Sequence, residues 1–144
     1  MLFRSYRNFQ GYSTHADCDL IGLGVTSIGK VGTSFSQNYK TLDEYYEKID
    51  AGQLAVYRGL ELDDDDVLRS EVITRLICNF SLRFSDIEQK FNINFSEYFA
   101  LELDELQSME ADGLLAITGG VVEIAPAGRL LIRNVCMVFD KYLR

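Results

Sequence analysis

The sequence is short of the side chains from which metal centres and disulfide frameworks are built. It has one histidine, His15, and three cysteines, Cys18, Cys78 and Cys136, each about 60 positions from the next. Neither a CxxC pair nor the closely spaced triple that would hold an iron–sulfur cluster is present, and the odd count argues against a disulfide framework. Cys78 and Cys136 fall inside apolar helical patterns and are expected as reduced core thiols. His15 has no second His or Cys nearby and reads as a loop residue.

Long apolar runs are missing too. Nothing approaches the roughly 18 apolar residues of a membrane span, and the start, Met-Leu-Phe-Arg-Ser-Tyr-Arg, lacks the apolar centre and small-residue cleavage site of a signal peptide. A cytoplasmic protein with no membrane partner is expected. Positive charge is scarce: 14 Lys and Arg against 22 Asp and Glu leave a formal charge of −8. That balance disfavours nucleic acid as a partner, because non-specific affinity for phosphate comes from clustered Lys and Arg. With 144 residues, 47% of them hydrophobic and 25% charged, the chain can build one ordinary globular core.

The stretch Arg7-Asn8-Phe9-Gln10-Gly11-Tyr12 offers an aromatic face, an amide and a glycine in succession, which suits either a planar polar ligand or a strand end followed by a turn. Residues 1 to 12 read as extended and 13 to 17 as turn. Gly22 and Gly24 break the apolar run from Leu20 to Val25, as glycines do where a bulge forms or where ligand or backbone comes close. Thr26 to Asn38, with Gly29 and Gly32, reads as an irregular loop. These first residues carry strand-like pieces without the hairpins or crossovers that close a sheet, so an edge or lid against another domain is expected.

From Thr41 the pattern is helical. Thr41 is an N-cap, Asp43 and Glu44 lie in the first turn, and Gly52 stops a helix over 42–51. Leu54 to Leu60 reads as an extended connection with a turn at Gly59. Asp63-Asp64-Asp65-Asp66 lacks the alternating ligands and central glycine of a calcium loop and reads as the start of a helix running to about Phe80. Ser85 and Glu88 form an S-x-x-E capping box for a helix to Phe91, and Asn94 to Glu97 repeats the logic before a longer helix over 95–112, broken near Asp104.

Gly119-Gly120 between Leu114–Thr118 and Val121–Ala125 is a two-residue hairpin signal, and Pro126 suits the first turn of a final helix over 127–143. Its apolar face would be Leu130, Leu131, Val135, Val138, Phe139 and Leu143. Helices, a hairpin and a closing helix make a winged-helix-like order. The helix in the recognition position carries Glu97, Glu102, Asp104, Glu105, Glu110 and Asp112 with no Lys or Arg, so its field would repel phosphate. Arg129, Arg133, Lys141 and Arg144 gather at the end, either as a solvated face or as a contact for carboxylates.

Arg7 to Tyr12, Leu76-Ile77-Cys78-Asn79-Phe80 and Gly128-Arg129-Leu130-Leu131-Ile132-Arg133-Asn134 together resemble the C-terminal part of the oxygen-independent coproporphyrinogen III oxidases, radical S-adenosylmethionine (SAM) enzymes of haem biosynthesis. The resemblance implies an α+β fold: a mainly helical domain over 41–144 with a winged-helix-like hairpin, preceded over 1–40 by strand and loop pieces that pack on a radical SAM (β/α) barrel absent from this chain. It implies a parent enzyme whose N-terminal barrel binds a [4Fe–4S] cluster and SAM and decarboxylates two propionates of coproporphyrinogen III, giving protoporphyrinogen IX. Phe9 and Gln10 would contact a second SAM, Ile28 would line the SAM pocket, and no catalytic or metal-ligating residue falls in this chain. A paralogous haem chaperone and a non-enzymatic winged-helix interaction module are the alternatives.

Overall fold

The computed structural model describes the backbone of residues 6–8 and 11–13 and all of residues 18–143. Contacts divide the chain into two units, His15–Val67 and Met1–Thr14 with Leu68–Arg144. At the start, β1 (Tyr6–Asn8) and β2 (Gly11–Ser13) pair antiparallel, with Asn8 opposite Gly11.

In the unit His15–Val67, β3 (Ile28–Val31), β4 (Ser34–Asn38) and β5 (Val56–Glu61) form an antiparallel sheet in that order, with α1 (Leu42–Asp50) between β4 and β5. The expected loop over 26–38 is therefore a hairpin, turning at Gly32, whose φ is +56°. Its glycines mislead because Gly29 is a strand residue under a crossing backbone. A Cβ there would lie 2.9 Å from the Leu20 carbonyl oxygen, and Leu20 exchanges two 2.7 Å backbone hydrogen bonds with Lys30. Gly59 likewise sits inside β5 opposite Ser36 and makes no turn.

Helix α1 follows its sequence signals. The Thr41 hydroxyl accepts from the Glu44 N–H and donates to the Glu44 carboxylate at 2.6 Å. Gly52 takes φ +69° just past its end. The unit has little core. Among its described residues Ala55 is the one buried hydrophobic residue, and every residue of β5 is exposed, as are Leu42, Tyr46 and Ile49 of α1.

Helix α2 (Asp64–Asn79) starts at the aspartate run, as its sequence signals. The Asp66 N–H donates to the Asp63 carboxylate at 2.7 Å and the Asp63 N–H returns a bond to Asp66 at 3.2 Å, a reciprocal cap at the positive end of the helix dipole. After it come β6 (Ser81–Arg83), α3 (Phe84–Phe91), α4 (Phe95–Tyr98), α5 (Ala100–Ala111), β7 (Leu115–Thr118), β8 (Val121–Ile124), α6 (Pro126–Leu130) and α7 (Ile132–Met137), then a 3-10 turn at Lys141–Leu143. The sheet order is β6-β8-β7. Both turn glycines of the β7–β8 hairpin are left-handed, Gly119 at φ +59° and Gly120 at φ +75°, which only glycine adopts without strain. Val72 and Leu76 of α2 and Phe95, Phe99, Val122 and Phe139 are fully buried in one core.

Three expectations for this unit need correction. Helix α3 opens at Phe84, not at a Ser85 box: the Phe84 N–H donates to the Gly120 carbonyl at 2.9 Å, which draws the helix start onto the hairpin turn, and Glu88 accepts instead from the Phe95 N–H at 2.9 Å. The break in the 95–112 helix falls at Phe99, not Asp104, because the Phe99 ring turns inward between Phe95 and Phe139, with centroids 4.7 and 5.4 Å away. The final helix is two pieces with a break at Leu131, and Leu130, Leu131 and Leu143 are exposed. Gly128 sets that rotation. A Cβ on it would fall on the Leu114 carbonyl, 2.8 Å from its carbon, so this glycine, and not Leu130, faces the core.

Candidate functional site

Phe9 and Gln10 lie outside the described residues, as does His15. Ile28 is half-buried in β3, paired with Gln37 of β4. Its surroundings are tightly tied. The Asn38 amide nitrogen donates to the carbonyls of Gly22 and Gly24 at 3.0 and 2.9 Å, and the Gly24 N–H donates to the Tyr45 hydroxyl oxygen at 3.0 Å. The Gly32 N–H donates to the Asp19 carboxylate at 2.8 Å. Gly22 is as closely packed, since a Cβ on it would lie 2.9 Å from that of Ser27. The chain's own backbone and side chains thus take up the close approach that the glycine run permits. Asn38 and Tyr45, which hold this run beside Ile28, carry no sequence signal of that duty: one ends a strand and the other reads as a helix-face aromatic.

No group of three or more His, Cys, Asp or Glu among the described residues could hold a metal ion. Cys136 is buried, Cys78 half-buried and Cys18 exposed, and none is in a disulfide. No helix among the described residues is long and apolar enough to cross a membrane.

Elsewhere, charge is used for structure. Glu102 is 2% exposed, and its carboxylate meets the Arg69 guanidinium at 2.9 Å. Arg69 also donates to the Phe139 carbonyl at 3.2 Å and lies over the Phe99 ring at 5.3 Å. Glu102 therefore does not join the outward acidic face that its position in the sequence suggests. On α2, Glu71 binds Arg75 at 2.6 Å and Lys90 at 2.9 Å, and Arg75 reaches Asp86 at 2.9 Å.

Burial pushes the Glu71 carboxyl up, but hydrogen bonds from Arg75 and Lys90, with their charges, outweigh it and hold the group below its ordinary value of 4.5. A carboxyl depressed in the folded state stabilises the fold above its unfolded value and loses that contribution as pH falls through the folded one. Urea midpoints should therefore drop below pH 4.5 more steeply in the native chain than in Glu71→Gln. Parallel pH profiles for the two would refute this.

An open polar cleft of about 550 Å³ lies beside the hairpin turn, lined by Arg83, Ser85, Glu88 and Glu123 among others. Glu88 is already engaged by the Phe95 N–H, and Ile28 does not line this cleft.

The family model of the HemN C-terminal domain matches residues 62–131. An oxygen-independent coproporphyrinogen III oxidase from Pseudomonas aeruginosa is 48% identical over 137 residues, which is 95% of this chain and 30% of that protein. The oxidase of the same name from Escherichia coli is 45% identical over 139 residues, again 30% of its length. A solved structure described as coproporphyrinogen III oxidase (HemN) from Escherichia coli, a radical SAM enzyme, superposes with a TM-score of 0.93 at 45% identity, covering 97% of this chain and 32% of that one. The mixed fold of helices and small antiparallel sheets is common to both. The chain thus spans about 30% of the curated relatives it matches, and over that span it is similar to the C-terminal part of oxygen-independent coproporphyrinogen III oxidases, with residues 62–131 matching the HemN C-terminal domain.

Proposed function

We propose that this chain works as the C-terminal part of an oxygen-independent coproporphyrinogen III oxidase, which removes the carboxyl groups of two propionates of coproporphyrinogen III to give the vinyl groups of protoporphyrinogen IX. The observation that carries the reading is 48% identity to such an oxidase along 95% of the chain. The three cysteines, far apart in sequence and unlike in exposure, do not fit a cluster, so an N-terminal barrel outside this chain would hold the [4Fe–4S] group. SAM, bound there, supplies the hydrogen-abstracting chemistry.

The chain's own residues then orient and shield. Residues 1–40 furnish the barrel edge, where Phe9 lies against the adenine or methylthio group of SAM, Gln10 hydrogen-bonds its polar atoms and Ile28 keeps water out. A half-buried Ile28 at the start of β3, beside the glycine run that Asn38 and Tyr45 hold, suits a fixed apolar wall. Residues 41–144 form the helical domain, in which α5, the β7–β8 hairpin and α6 follow one another in winged-helix order. Helices α4 and α5 carry five acids and no Lys or Arg, which favours packing on protein over DNA.

The test mixes the chain with the separately produced N-terminal part, its cluster reconstituted without oxygen, and assays coproporphyrinogen decarboxylation with SAM. Activity only in the mixture is expected. Gln10→Ala should lower turnover by about tenfold, the worth of one good hydrogen bond, without changing cluster absorbance. Silence from a verified complex with an intact cluster would overturn the reading in favour of the haem chaperone or the interaction module.

A further inference from the structure

The outward face of α6 and α7 differs from the rest of this acidic chain. Residues 124–139 contain no Asp or Glu. Their inward side is filled by Gly128, Val135, Cys136 and Phe139, whereas Leu130 is 89% exposed and Met137 50%, with Arg129 and Arg133 exposed beside them. Arg69, Arg75 and Lys90 all have carboxylate partners, but among the described residues Arg129 and Arg133 have none. The face is not free to turn inward, because Gly128 is pressed on the Leu114 carbonyl and the Ala125 N–H donates to that same oxygen at 3.0 Å. Arg129 is further fixed by stacking 4.9 Å from the Phe80 ring centre.

An exposed leucine beside two guanidiniums that lack carboxylate partners among the described residues suits a ligand with an apolar body and more than one carboxylate. The two arginines stand four positions apart, one in the last turn of α6 and the other in the first turn of α7, and together they can serve two carboxylates of one molecule. Guanidinium is the group best shaped for them. A tetrapyrrole with propionates has that composition. We propose that Arg129 and Arg133 bind propionates of the tetrapyrrole substrate while Leu130 and Met137 lie against its ring. The proposal rests on the coproporphyrinogen reading above and assigns the substrate a binding face in this chain.

The probe is coproporphyrin III, the air-stable fluorescent form with the same four propionates, titrated into the 144-residue chain by fluorescence anisotropy. Saturable binding is expected, weakened by salt and weakened about tenfold by Arg133→Gln or Arg129→Gln, each the loss of one charge-assisted pair. Arg83→Gln removes the same charge elsewhere and should leave binding unchanged, and far-UV circular dichroism checks that each variant is folded. No saturable binding by the native chain, or equal weakening by all three variants, overturns the proposal. If Arg129→Gln and Arg133→Gln instead lose the N-terminal part without porphyrin present, the face is a domain interface and the proposal is wrong. Decarboxylation in the two-part mixture separates the readings. If it proceeds while the variants bind porphyrin normally, this proposal alone falls; if it never occurs, the coproporphyrinogen reading falls.

Discussion

Arg69→Met is expected to destabilise the unit containing Leu68–Arg144 by about 3–5 kcal/mol, the usual result of taking one partner from a buried ion pair. The Glu102 carboxylate, which loses this ion pair, is 2% exposed. The same substitution removes the donor to the Phe139 carbonyl and the cation over Phe99. Most of the loss should return in Arg69→Met with Glu102→Leu, since a well-packed apolar pair does about as well as a buried ionic one. Urea unfolding followed by circular dichroism measures both. A loss under 1 kcal/mol in the single variant would mean that Glu102 does not depend on Arg69.

Phe99→Ala should cost a similar 3–5 kcal/mol, the range for emptying a large aromatic site in a core. Phe99 is fully buried and touches Phe95, Tyr98 and Phe139 ring to ring, so the cavity has walls that cannot all close in. Because Arg69 lies over its face, the two substitutions should not add. The double variant should lose less than the sum of the singles, by the coupling expected of groups in contact. Strict additivity would show that the stacked geometry contributes nothing beyond packing.

Both residues mark the limit of what the sequence disclosed. Local signals were legible: Thr41 as a cap, the aspartate run as a helix start and Gly119-Gly120 as a hairpin each depend on neighbours within a few positions. Features set by distant partners were not. Gly29 reads as loop until Leu20 is seen to cross it, Gly128 reads as a weak helix residue until Leu114 is found against it, and Glu102 reads as surface charge until Arg69, 33 positions earlier, meets it. The candidate site divides in the same way. Phe9, Gln10 and Ile28 came from likeness to a family, and no spacing rule would pick Ile28 from the other half-buried strand residues. Asn38 and Tyr45 act through contacts 14 to 21 positions away.

The Glu110 carboxylate accepts the outward N–H of Ile117 in β7 at 2.6 Å. A strand with an outward amide already answered makes a poorer template for another strand, so this border of the β6-β8-β7 sheet is blunted at Ile117. Strand β5, exposed throughout at the border of its own sheet, has no such blunting among the bonds described. The fold therefore treats two sheet borders differently: at β7 an outward amide is already answered from within, whereas β5 is left where a further strand can join it.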